Sequence, residues 1–206
     1  MRIALALALA ALVLAAPTAD AKPKPCSRKG SSTIVSTKSV RVYRVKNGDG
    51  NYDLFGCLRS DGKRQKLQHG YDDMIETSGT FDRVHVAGHF VAWQFTAYDV
   101  SCKADCPPGY DATTVTLRIR DLKKRKTKNV NGEVASDGRL VLTSGGSIAW
   151  TQRGVGSDVA VNALDGAGRR QLDNGSVEPG SLRLTGSVAH WTNAGAPKQA
   201  TLAPRS

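Results

Sequence analysis

Beyond its first 21 residues the chain has no apolar run that could cross a bilayer, which takes ~20 such residues as a helix. It contains no G-x-S-x-G segment, the strained turn that presents a hydrolase serine. Helix-period patterns are few outside the N-terminus, so the body of the protein is expected to be built from strands. Acids are scarce beside bases, 18 Asp and Glu against 29 Lys and Arg, for a net charge of +11. These shortages exclude a helical membrane protein and the serine-hydrolase elbow. The charge excess favours solubility and attraction to polyanions and says nothing about fold.

The N-terminus is a different kind of segment. Met1-Arg2-Ile3 leads into Ala, Leu and Val up to Ala16, and Ala19-Asp20-Ala21 has the small-x-small form of a signal-peptidase site. A cleaved secretory signal over residues 1–21 is therefore expected, placing the protein outside the cytoplasm. Residues 22–32 read as a disordered leader. The remaining 33–206 suit one domain on the usual ~100–200 residues.

Only four cysteines are present, all in the exported part: Cys26, Cys57, Cys102 and Cys106. An even count in an oxidising compartment reads as two disulfides. Cys102 and Cys106 share one loop, so the expected connectivity is Cys102–Cys106 with Cys26–Cys57. Metal binding is the rival, but a single C-x-x-x-C without an adjacent histidine is poor zinc spacing. No metal and no cofactor are expected.

The strands recur in a pattern. Val84-His85-Val86-Ala87-Gly88-His89-Phe90-Val91-Ala92-Trp93 is a short alternating strand, a Gly turn and a second strand ending on an aromatic. Leu140 to Trp150 and Leu182 to Trp191 have the same form, and Ile34 to Tyr43 is a degraded version. The aromatics at 43, 93, 150 and 191 lie 50, 57 and 41 residues apart. Asp53 to Leu67, Val115 to Lys128 and Val159 to Leu172 each read as a strand, a turn and another strand. Their turns open at Asp61, Asp121 and Asp165, whose carboxylates can accept backbone amides.

Four short strands per ~40–45 residues is the period of a propeller blade. The segments quoted resemble the divergent blades of secreted and periplasmic TolB-like and WD40-like propellers, over nearly the whole exported chain. The resemblance implies an all-β array of about four antiparallel units, near 33–79, 80–134, 135–179 and 180–206, either closed into a ring or left open or incomplete. The last unit has three evident strands, so either the strand near Thr33–Ser36 completes it or the ring stays open. The histidine and the terminal Trp-Asp pair of true WD40 repeats are missing, so the resemblance carries architecture alone. A β-sandwich with similar hairpins is the alternative.

Strands that alternate in direction sort their loops onto two faces. Lys63, Arg64, Lys66, Lys123, Lys124, Arg125, Lys126, Lys128, Arg169 and Arg170 fall at turns between the third and fourth strands of a unit. Most acids fall at the opposite loops: Asp49, Asp53, Asp99, Asp105, Asp111 and Asp158, then Asp72, Asp73, Glu76, Asp82, Glu133, Asp137, Asp173 and Glu178. A basic face dominated by Lys123–Lys128 with Arg169 and Arg170 is thus the candidate binding surface, though such turns also collect charge for solubility.

Other candidates weigh less. Asn47-Gly48-Asp49-Gly50-Asn51-Tyr52-Asp53 alternates oxygen-bearing side chains but lacks the distal Glu of a calcium loop, and Asn-Gly and Asp-Gly are hairpin formers. His85, His89 and His190 read as strand and turn residues. Trp93, Trp150 and Trp191 are expected to pack between units rather than stack on sugars. The basic run lacks interleaved aromatics, so nucleic acid is not an expected partner.

The expected function is a non-enzymatic secreted or cell-envelope binding or scaffold module that recognises a protein, a glycan or an anionic polymer. The alternative is an extracellular carbohydrate hydrolase using paired carboxylates on the acidic loops. Oligomerisation is expected only if the ring stays open.

Overall fold

The computed structural model describes residues 26–48, 50–72, 77–99, 112–154 and 156–205. Among them, every regular element is a strand except a 3-10 turn at Pro179–Ser181. The first sheet holds β1 (Ser31–Ser36), β2 (Val40–Lys46), β3 (Tyr52–Leu58) and β4 (Arg64–Gln68). The second holds β5 (Tyr71–Asp72), β6 (Thr77–Ala87), β7 (Phe90–Asp99), β8 (Thr113–Asp121) and β9 (Lys126–Asn131). The third holds β10 (Leu140–Leu142), β11 (Ile148–Arg153), β12 (Val159–Asp165) and β13 (Gly168–Asp173). The fourth holds β14 (Arg183–Thr185), β15 (Val188–Asn193) and β16 (Ala196–Thr201). Each sheet is an antiparallel meander in chain order.

The sheets pack in succession, each burying apolar residues against the next. Val40, Val42 and Leu54 of the first meet Val91, Trp93 and Phe95 of the second. Ala92, Leu117 and Ile119 turn the other way, onto Leu140, Ile148 and Trp150 of the third. Ala149, Val161 and Ala163 then pack on Ala189, Trp191 and Leu202 of the fourth. Period-two alternation explains this: Trp93 and Ala92 are neighbours in sequence and so serve opposite cores. The strands β1, β6, β10 and β14 lie next to one another in that order, which fans the sheets about a common inner edge. This is an all-β, propeller-like array, and among the described residues it is open: no strand of the fourth sheet pairs with the first.

Tyr43, Trp93, Trp150 and Trp191 occupy the same place, the second long strand of each sheet. All four are buried. The three tryptophans pack toward the preceding sheet. Tyr43 has none before it, and the gap is filled by the segment starting at Cys26, which is disulfide-bonded to Cys57 beneath the Tyr43 and Phe55 rings. The segment 22–32 therefore departs from the expected disorder from Cys26 onward, because the disulfide and a bond from Arg41 to the Cys26 carbonyl hold it (2.7 Å). The strand at Thr33–Ser36 pairs with β2 and leaves the fourth sheet with three strands. Cys102 and Cys106 lie outside the described residues.

Two glycines show what the turns demand. Gly88 opens the two-residue β6–β7 turn at φ +58°, and a side chain there would press on the Ser144 backbone of the third sheet. Gly146 sits at φ +80° with the Phe90 ring 2.6 Å from where a Cβ would stand. Both positions need left-handed backbone, which glycine adopts freely, and both need close approach between sheets.

Candidate functional site

The turns between first and second inner strands and those between third and fourth strands gather on one side. Ser39 donates to the Gly88 carbonyl (2.7 Å), and the Leu122 amide donates to the His89 carbonyl (3.1 Å). The chain end folds back over the same side: Arg205 donates from its amide to Gly145 (3.0 Å) and from its guanidinium to Gly146 (3.2 Å).

The basic run is mounted on this side by an apolar anchor. Leu122 is buried in the core between the first two sheets, and its carbonyl accepts from Gln65 (2.6 Å). The Asp121 carboxylate accepts the amides of Lys123 (2.8 Å) and Lys124 (2.9 Å), and Arg125 closes the turn at φ +56°. With the backbone fixed in this way, Lys123, Lys124, Arg125, Lys126 and Lys128 are left exposed.

The other two acids of this side are also committed to the backbone. Asp61 accepts the Lys63 amide (2.8 Å). Asp165 accepts the amides of Ala167 (2.9 Å) and Ala203 (3.2 Å) and the guanidinium of Arg170 (2.6 Å). Burial alone would raise the Asp165 carboxyl, but these donors outweigh it and hold it below the ordinary carboxylate range. Arg170, which also reaches the Thr201 carbonyl (2.9 Å), is thus a structural cation. Arg169 is exposed, with its guanidinium 5.9 Å from the centre of the Trp150 ring. Among the described residues, none of Lys123, Lys124, Arg125, Lys126, Lys128 and Arg169 has a carboxylate partner.

Two hollows flank the Asp121–Lys124 turn. One, of about 230 Å³, is lined by Phe90, Lys124, Lys126, Lys128 and Arg205. The other, of about 490 Å³, is lined by Lys38, Arg59, His89 and Lys123. Sequence reasoning missed Lys38, Arg59 and Arg205 as members of this side. The direction of the strands places Lys38 there once the turns are sorted, whereas Arg205 arrives only because the chain end doubles back.

The opposite side is arranged differently. Asp53 pairs with Lys66 (2.7 Å) and His69 (2.6 Å). Burial would raise its carboxyl, but these two partners hold it below the ordinary value. Lys66 therefore does not serve the basic side: it stands opposite Phe55 in the β3–β4 ladder, and its side chain reaches diagonally along the same face to Asp53. Asp137 pairs with Arg153 (2.7 Å), and Asp173 accepts from the Trp191 indole (2.6 Å). Asp82 is pushed up by burial, against the pull of Arg83 and Gln94. Asp49, Asp73, Glu76, Asp105 and Asp111 lie outside the described residues. Among those described, no group of three or more His, Cys, Asp and Glu could hold a metal, and no helix is long and apolar enough to cross a membrane.

No protein-family model matches the chain, and no curated protein matches it at a significant level.

Proposed function

We propose that this protein is a secreted or envelope-associated recognition module, non-enzymatic and built from divergent propeller-type repeats, that docks onto an anionic polymer through its basic turn side. One observation carries the reading. The three acids of that side are engaged by backbone amides and Arg170, while the run Lys123–Lys128 stands exposed without a carboxylate partner. The Cys26–Cys57 disulfide supports an oxidising compartment, in keeping with the signal-like first 21 residues.

Exposed cations of this kind attract a polyanion over ~8–10 Å at physiological salt. They release condensed counterions when they bind, so affinity falls steeply with salt. The test uses heparin and long-chain polyphosphate as probes against the exported chain. Binding should weaken at least tenfold between 50 and 200 mM salt, a range over which several phosphate-type contacts are largely lost. The variant Lys123→Gln/Lys124→Gln/Arg125→Gln should lose most of the low-salt binding. Affinity indifferent to salt, or unchanged in the triple variant, would remove the proposal.

A further inference from the structure

The inner edge of the array holds a groove of about 560 Å³ lined by β6, β10 and β14 and the segments leading into the last two. Its volume lies in the range of small-molecule sites, ~300–1,000 Å³. Its floor is partly apolar, with Val141 and Leu184 half-buried. Its polar lining is unusual: three guanidiniums, Arg83, Arg139 and Arg183, and the imidazole of His85. The one carboxylate there, Asp137, is already paired with Arg153.

We infer that this groove is a binding site for a small oxyanion-bearing molecule, a carboxylate or a phosphate, gripped by Arg139 and Arg183. Three cations converging on one hollow repel one another, and an anion between them would turn that repulsion into charge-assisted hydrogen bonds. The planar fork of arginine suits both carboxylate and phosphate.

Arg139 is held in advance of any ligand. Its amide donates to the Thr151 hydroxyl (2.9 Å), and its carbonyl accepts the Thr151 amide (3.1 Å). Thr151 in turn donates to the Pro179 carbonyl (3.0 Å). The Arg139 Nε donates to the Gly180 carbonyl (2.9 Å), so its two terminal nitrogens remain for a ligand. Arg183 is exposed on the facing strand, and its guanidinium has no hydrogen-bond partner among the described residues.

Arg83 is a positioning residue. With Val84 it forms a bulge in β6 opposite Trp93, between the pairs Asp82–Gln94 and His85–Ala92, and it stands at φ +47°. Such a backbone is strained for a side chain and persists only where its surroundings demand it. Its terminal nitrogens bind the carbonyls of Gly138 (3.1 Å), Ala135 (3.0 Å) and Ser136 (2.9 Å), fixing the turn from which Arg139 departs. Its Nε is buried without a partner. The His85 imidazole is held below its ordinary pKa, first by burial and then by the charges of Arg83 and Arg139.

Titration of the protein with inorganic phosphate and, separately, citrate tests this by calorimetry and by the NMR signals of His85 and of the Arg139 and Arg183 amides. Saturable shifts at these groups are expected with at least one probe, and which probe binds tighter assigns phosphate or carboxylate. Arg183→Gln, on an exposed position that leaves the fold intact, should weaken binding at least tenfold. Arg139→Lys should give an intermediate loss, keeping charge without the fork. The Lys123→Gln/Lys124→Gln/Arg125→Gln variant should bind as the parent does. Absence of saturation with both probes, shifts confined to Lys123–Lys128, or full binding by Arg183→Gln would each overturn the assignment.

Discussion

The two sides of the array use the same residue types to opposite effect. On the turn side, Asp61, Asp121 and Asp165 accept backbone amides, and most neighbouring lysines and arginines remain unpaired. On the connection side, Asp53 and Asp137 take side-chain cations, and those two charges are cancelled in pairs. A carboxylate at the head of a tight turn has two amides within reach before any side chain. Charge surplus is therefore decided by where an acid sits on the backbone, and composition alone misses it.

The sharpest way to break this contrast is Asp165→Ala. The carboxylate is fully buried, and its loss would strand two amides and take from Arg170 its only carboxylate among the described residues, at about 3 kcal/mol by urea unfolding. A loss below 1 kcal/mol would show that the turn-side acids are dispensable. Asp121→Ala, which frees the amides of Lys123 and Lys124, should cost about 1–2 kcal/mol, close to the loss of a helix cap. It should also broaden the NMR signals of Lys123–Arg125.

Acidity separates the groups in a further way. His85 has its folded pKa below the ordinary 6.5, so the unfolded chain binds the proton first. Stability is then full above pH 6.5 and declines as the pH falls toward the folded value. For Asp53, Asp165 and Asp173, burial is outweighed by hydrogen bonds and the pKa is lowered. Their contribution is full above the ordinary 3.8 and is lost only in stronger acid. Thermal melts from pH 8 to 3 should show both limbs, with His85→Gln removing the milder one. The smallest effect belongs to Asp137→Asn. Its pair with Arg153 is about half exposed on both sides, and its loss should cost under ~1 kcal/mol.

Strands, turns and the alternation of buried tryptophans were legible in the sequence because each is a local property. Asp121 and Asp165 announce their turns, and Trp93 beside Ala92 announces two cores. The grouping of Arg83, His85, Arg139 and Arg183 was not legible. It depends on three inner strands meeting edge to edge and on a bulge that redirects Arg83, neither of which leaves a periodic trace. The pairing of Lys66 with Asp53 was not legible either, because it is a diagonal contact between two strands that the position of Lys66 near a turn does not reveal.

Among the described residues the apolar cores join only sheets adjacent in sequence. Cohesion in such a molecule is passed from neighbour to neighbour, as in a linear array of repeats. The first sheet is closed off by a covalently pinned strap, while the last ends on the solvent-facing strand β16, whose Pro197 and Lys198 discourage further pairing. Fraying should accordingly start at the C-terminal end, with amide protons of β14–β16 exchanging ahead of those in β7 and β11.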